Sequence, residues 1–421
     1  MRILLIKPSW FRGGLFQDCI TVRTGPLGLA MIATLSEGHD TQIIDGDIES
    51  ISFSSHWDLV AITVPTSSAV EAYNIADQFR TLGVKVILGG VHPSMLPEES
   101  SAHADSVVIG EAESVWGDIL KDFPNLKSIY QANYLVDINN LPFARRDLFH
   151  PGYRAAAVQA TRGCVNKCKY CYLQNVPWKT YRKRSPKKFA EEIAQIKEPY
   201  LFFADDNLFV EKEYTLEIAQ RITPYKKFWS CQAPITIGDD EDFVRELAHS
   251  GLSGTMLGLD SISKKTLDSA SKTYFSHNLK HTVKHLRSNG IGVGASLVFG
   301  FDHDDASVFE KTLDSLEEAG FDSAGFFILT PYPGTELFEE MEKNKRIITK
   351  DWSRYNLMNP VFKPKQMTPE QLSQGVRWAY KEFTKRKFKN LLRDIPFYWR
   401  MIRRSPRLAW DLKIYLYVNP F

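Results

Sequence analysis

Residues 155–171 read AAAVQATRGCVNKCKYC: a short apolar run, then Cys164, Cys168 and Cys171 within eight residues. The run has the length and composition of a buried strand, so the cysteines fall on the loop that follows it. A spacing of three and then two intervening residues can bring three thiolates to one metal site, one protein ligand short of the usual four. An open coordination position is what a catalytic centre needs, since a closed site holds structure or passes electrons. A zinc knuckle or a crowding of buried thiols is the competing reading. Zinc sites favour a second Cys or His pair a short way downstream, which does not follow this loop.

Outward from that loop, apolar runs alternate with helical spacing. Strands are expected at 155–160, 200–203, 229–232, 254–259, 292–299 and 323–329, with helices at 189–196, 214–222, 242–249, 279–288 and 307–318. Six strand–helix units in a row imply a partial parallel barrel, whose chemistry sits on the loops after the strands. Ahead of it, runs at 3–6, 42–44, 59–64, 86–88 and 107–109 read as five buried strands, with helical spacing at 27–35, 69–82 and 113–123. The fold class is therefore α/β: an N-terminal doubly wound, Rossmann-like domain over 1–138, a turn-rich linker over 139–153, a partial (β/α)6 barrel over 154–340, and a C-terminal helical extension over 341–421. Ligands in a doubly wound sheet bind at the carboxyl ends of strands, here the loops 65–68, 89–94 and 110–113. Gly89 and Gly90 allow close backbone approach there, as a phosphate or ring edge requires.

At 421 residues the chain exceeds one ordinary core, and 43% hydrophobic with 24% charged residues is a globular composition. Five cysteines form no disulfide framework, which implies a reducing cytoplasm; Cys19 and Cys231 read as buried inert thiols. No stretch reaches the eighteen uninterrupted apolar residues of a membrane span. Residues 383–421 carry ten Lys/Arg against Asp394 and Asp411, a net +8 interleaved with aromatics, while the whole chain is +2. Such a tail suits an aromatic helix packed on the body, a peripheral contact with the inner face of an anionic membrane, or, with least support, nucleic acid.

The three-cysteine loop after the first strand of a six-unit barrel resembles the radical S-adenosylmethionine superfamily. The doubly wound domain ahead of it is similar to the cobalamin-binding branch, and the likeness spans roughly residues 1–380. The resemblance implies that Cys164, Cys168 and Cys171 ligate a [4Fe–4S] cluster. Its open iron would chelate S-adenosylmethionine, which reduction by an external flavodoxin- or ferredoxin-type donor would cleave to a 5′-deoxyadenosyl radical. By the same resemblance Tyr170 would lie near the adenine. Ala204, Asp205 and Asp206 stand where the family binds the methionine amino group, with Ala-Asp-Asp in place of Gly-Gly-Glu. Two adjacent acids also suit a helix cap.

Asp260 and Ser261 match a Gly-Ile-Glu-Ser motif with a shortened acid, and Phe299 and Gly300 fall where the family lines its adenine and ribose pocket. Lys272, near a lysine common in the branch, reads as a solvated helix-end residue. Cobalamin would meet the first-domain loops through Thr66, Ser67, Ser68, Gly89, Gly90, Val91, His92, Gly110 and Glu111. No DxHxxG motif occurs, so His92 is not expected to ligate cobalt. The implied activity is C-methylation of a lipid or other small molecule using S-adenosylmethionine and cobalamin. A radical dehydratase, cyclase or rearrangement enzyme is the alternative, and an iron–sulfur RNA-binding protein a distant third.

Overall fold

A computed structural model describes residues 1–9, 24–176, 178–272, 278–390, 394, 395 and 399. Six parallel strands build the first sheet: β1 (Arg2–Lys7), β2 (Asp40–Asp45), β3 (Leu59–Thr63), β4 (Lys85–Gly89), β5 (Ser106–Ile109) and β6 (Ile129–Gln131). They lie in the order β2-β1-β3-β4-β5-β6, so the chain reverses its winding between β1 and β3. Alternation along each strand serves two cores. Leu4, Ile6, Val60, Ile62 and Val86 pack under the helix Ala69–Thr81, whereas Ile3, Leu5, Ala61, Ile87 and Val108 pack under the helices Leu27–Leu35 and Trp116–Asp122. The sixth strand exceeds the five expected. Its three residues run exposed, buried, exposed, too short for an apolar run to announce it.

The barrel begins with β7 (Ala155–Val158) and closes its cysteine loop with a two-residue ribbon, β8 (Thr161–Arg162) against β9 (Arg182–Lys183). Five further strands follow: β10 (Tyr200–Phe203), β11 (Phe228–Ala233), β12 (Leu252–Asp260), β13 (Gly292–Phe299) and β14 (Ser323–Ile328). All pair in parallel with their sequence neighbours, β10 beside β7, giving the open six-stranded sheet expected. Its outer edges are covered. Thr24 bridges to Ala155 beside β7, and Phe326 of β14 donates its N–H to the Tyr380 hydroxyl at 3.0 Å.

Tyr380 belongs to the helix Pro369–Lys389, which opens on a capping box between Thr368 and Gln371. Before that helix, the chain returns to the first domain. Trp352, Tyr355 and Val361 are buried in the same core as Tyr73 and Phe79, and Trp352 Nε1 donates to Glu99 Oε1 at 2.8 Å. This strap bolts the two sheets together.

Most of the basic tail, and Cys19, lie outside the described residues. Of the described tail cations, Lys385, Arg386 and Lys387 are engaged intramolecularly. Arg386 pairs with Glu310, Asp314 and Glu317 on the helix Val308–Ala319 and with Glu382, while Lys387 pairs with Asp394 at 2.8 Å. No described helix is long and apolar enough to cross a membrane.

Candidate active site between the two sheets

The cysteine loop leaves β7 under tight control. Asp205, at the end of β10, accepts at one carboxylate oxygen from Ala160 N, Thr161 N and Thr161 Oγ1, at 3.1, 2.5 and 2.7 Å. Its other oxygen is buried without a hydrogen bond. Burial outweighs those donors and pushes the Asp205 carboxyl up to about 7. Asp206 accepts from Gly163 N at 2.8 Å, and burial raises its pKa as well. Gly163 has φ +84°, and a Cβ there would meet Thr180 O at 2.4 Å, so no other residue fits. The paired acids thus hold the base of the loop; they cap no helix.

Cys164, Cys168 and Cys171 are all free thiols. Burial raises Cys168 and pushes Cys171 up to about 12, so their thiolate forms need a cation bound at sulfur. No three described His, Cys, Asp or Glu side chains are spaced to hold a single metal ion. Three thiols on one loop, with no Cys or His pair following closely in the sequence, suit an iron–sulfur cluster better than a zinc knuckle. Asn207 Nδ2 lies 3.8 Å from Cys164 Sγ, a neutral donor aimed at a ligand sulfur.

Tyr170 hydrogen-bonds through its hydroxyl to Asp260, and Lys272 pairs with the same carboxylate and with Gly258 O at 2.7 Å. Asp260 adopts φ +58° at an irregularity in the pairing of β12 with β13, which turns its side chain to meet them. Lys272 is therefore a largely covered ion-pair partner, and its reading as a solvated helix-end residue is corrected. Ser261, beside Asp260, is also buried, its hydroxyl accepting from Ser263 N at 3.1 Å. Phe299 packs its ring on Phe309 and Phe326 in the outer core, and a Cβ at Gly300 would meet Leu372 at 2.8 Å. Asp304, which the sequence did not single out, ties that strand end by accepting from Gly300 N and Phe301 N, both at 3.0 Å.

A largely apolar cavity of about 370 Å³ lies over the carboxyl ends of the first sheet, at the point where the winding reverses. Leu5, Ala61, Ile87 and Val108 form its floor, and Leu27, Gly28, Met31 and Trp116 one side. Gly89, Gly90, Val91, Gly110 and Glu111 line it as expected. Thr66, Ser67, Ser68 and His92 are not among its lining residues. The first three lead into the helix Ala69–Thr81 on the opposite face of the sheet. His92 is fully buried behind the glycine loop, with Nε2 3.0 Å from Tyr73 OH and its ring edge-on to Trp352.

The barrel supplies the facing wall through Gln159, Arg162, Tyr172, Leu173, Trp178, Ala204 and Asp206. Of these only Ala204 and Asp206 were expected from the sequence. Tyr172 and Leu173 directly follow Cys171, so one cavity touches both the first sheet and the cysteine loop. A Cβ built on Gly28 meets nothing within 4 Å, which leaves an opening in that side for a flat ligand.

A model of the radical SAM superfamily matches residues 158–333, and one of the B12 binding domain matches residues 16–120. Bacteriochlorophyllide d C-12(1)-methyltransferase of Chlorobaculum tepidum is 30% identical over 392 residues, covering 88% of this chain and 84% of that protein. The chain belongs to the cobalamin-binding branch of the radical S-adenosylmethionine superfamily. Bacteriochlorophyllide d C-8(2)-methyltransferase of the same organism is 27% identical over 399 residues, covering 85% of this chain and 88% of its own. The solved structure of the cobalamin-dependent S-adenosylmethionine radical enzyme OxsB, with aqua-cobalamin and S-adenosylmethionine bound, shares the fold. Its TM-score is 0.70 at 13% identity, over 93% of this chain and 67% of that one. The protein is thus a radical enzyme whose branch uses a [4Fe–4S] cluster, S-adenosylmethionine and cobalamin.

Its residues fit those groups. Cys168 is buried and Cys164 and Cys171 are half-buried; three thiols with no fourth cysteine on the loop leave one cluster position open, and Tyr172 and Leu173, next to Cys171, line the cavity.

Proposed function

We propose that this radical enzyme is a C-methyltransferase acting on an unactivated carbon of a small, largely apolar molecule of the tetrapyrrole or lipid class. The observation that carries the reading is the cavity shared between the first sheet and the cysteine loop. The methyltransferase names of the relatives described above support it. When bound, the cluster with S-adenosylmethionine supplies one-electron hydrogen abstraction, and cobalamin supplies a transferable methyl group.

The chain's own residues bind, orient and exclude water. Cys164, Cys168 and Cys171 hold the cluster, while Asp205 and Asp206 fix the backbone from Ala160 to Gly163. Asp206 lines the cavity and Asp205 does not, which supports Asp206 as the acid that meets the amino group of S-adenosylmethionine. Tyr170, Asp260 and Lys272 form a half-buried polar patch, which supports their meeting its nucleoside part. Gly89, Gly90, Val91 and Gly110 let backbone approach cobalamin closely, and Tyr172, Leu173 and Trp178 shield the space between the groups from water. Exposed Trp378, Phe388, Ile395 and Trp399, close in sequence to the tail cations, support access to a membrane-resident substrate.

Anaerobic reconstitution, chemical or flavodoxin reduction, and turnover with methyl-labelled S-adenosylmethionine on tetrapyrrole and lipid extracts test the proposal. Label is expected in one apolar product, together with 5′-deoxyadenosine, and Cys168→Ala should abolish both. Substrate-dependent 5′-deoxyadenosine with an unlabelled product would instead favour the dehydratase or cyclase reading.

A further inference from the structure

Arg162 and Arg182 are direct cross-strand partners in the two-residue ribbon that forms the neck of the cysteine loop. Like charges placed opposite one another destabilise a strand pair, and a ribbon of two pairs has little else to hold it. The compensation comes from the other domain. Arg182 grips Glu111 with two nitrogens at 2.8 Å each, and Arg162 reaches Glu111 at 3.0 Å and Glu113 at 2.6 Å. Val136 N donates to Glu111 at 3.0 Å. Both oxygens of Glu111 therefore accept two bonds each, which exhausts a carboxylate. All four side chains are at most 15% exposed, so removing one partner leaves a buried charge uncompensated.

The geometry assigns Glu111, with Glu113, as the positioning residue of the cluster loop, a role beyond the cavity contact expected from the sequence. Through it, the first domain closes the neck between Thr161–Arg162 and Arg182–Lys183 and so sets where Cys164 and Cys171 stand. The same loop, 110–113, lines the cobalamin cavity, so the cavity wall and the cluster loop share one rigid joint. The assignment rests on the reading of the three cysteines as cluster ligands.

The test compares reconstituted wild type, Glu111→Gln, and Glu111→Gln/Arg182→Gln, all full length. Three readouts are needed: the rate of iron loss to a chelator, the electron paramagnetic resonance spectrum of the reduced cluster, and hydroxocobalamin affinity by equilibrium dialysis. Glu111→Gln is expected to speed iron loss about tenfold and alter the spectrum. The double variant removes the repelling charge and is expected to recover the wild-type spectrum and most of the retention. A simple loss of stability would not be repaired in that way. Wild-type iron retention and spectrum in Glu111→Gln, with or without weaker cobalamin binding, overturns the assignment. If Glu111→Gln does not fold, Glu113→Gln, which removes the negative charge facing Arg162, decides on the same readouts. A wild type that takes up no cluster would instead overturn the cluster reading itself.

Discussion

Asp304 shows how one side chain can carry a structural task that its sequence context does not announce. Its carboxylate is buried, takes the N–H groups of Gly300 and Phe301, and receives the Thr266 hydroxyl at 3.2 Å. Burial still dominates and pushes it up to about 6. An unfolded aspartate titrates near ~3.9, so between about pH 4 and 6 the native state holds a proton that the unfolded chain has released. A raised carboxyl pKa makes stability fall as pH rises through that window, by up to about 3 kcal/mol, and level off above it. Asp304→Asn keeps the shape without the charge. Anaerobic calorimetry from pH 4.5 to 7.5 is expected to show the variant losing less stability than wild type as pH rises. Parallel curves would remove Asp304 as the cause.

At the scale of elements, the strap between β14 and the last helix governs how firmly the two domains hold. Trp352 is buried against His92 and Tyr355, and its indole N–H satisfies Glu99. Trp352→Ala leaves a cavity, takes one of the hydrogen bonds from Glu99, and is expected to cost about 3–5 kcal/mol in denaturant unfolding. An effect below about 1 kcal/mol would mean that the strap is not part of the cooperative unit. What was legible in the sequence follows the same division. Strands with buried runs, such as Arg2–Lys7 and Leu59–Thr63, are recognisable because a parallel sheet covered on both faces demands unbroken apolar residues. The strap and β6 carry no such period. Thr66–Ser68 and His92 looked equivalent to Gly89–Val91 because all follow strands. Which face of the sheet the next helix takes decides their fate, and spacing along the chain does not encode it. The cysteines were legible because their chemistry is local, whereas Arg162, Glu111 and Trp178 acquire roles only when two distant segments meet.

For the whole molecule, the decisive feature is that the cavity belongs to neither domain alone. A ligand held by Leu5 and Met31 on one side and Arg162 and Trp178 on the other must stabilise the docked state over any state in which the sheets part. Hydroxocobalamin at about 100-fold over its dissociation constant is therefore expected to stabilise the protein by about 2.7 kcal/mol. Gly28 supplies the control. It lies in the helix Leu27–Leu35 and borders the cavity, and a side chain there meets no protein atom within 4 Å of its Cβ. Leucine also favours the helix by up to about 1 kcal/mol over glycine, so Gly28→Leu should not unfold the apoprotein. It should fill the opening, remove the stabilisation by hydroxocobalamin, and leave the iron content of the cysteine loop unchanged. Equal stabilisation of wild type and Gly28→Leu would place cobalamin elsewhere. Loss of iron along with cobalamin would show that the cavity and the cluster loop fold as one unit.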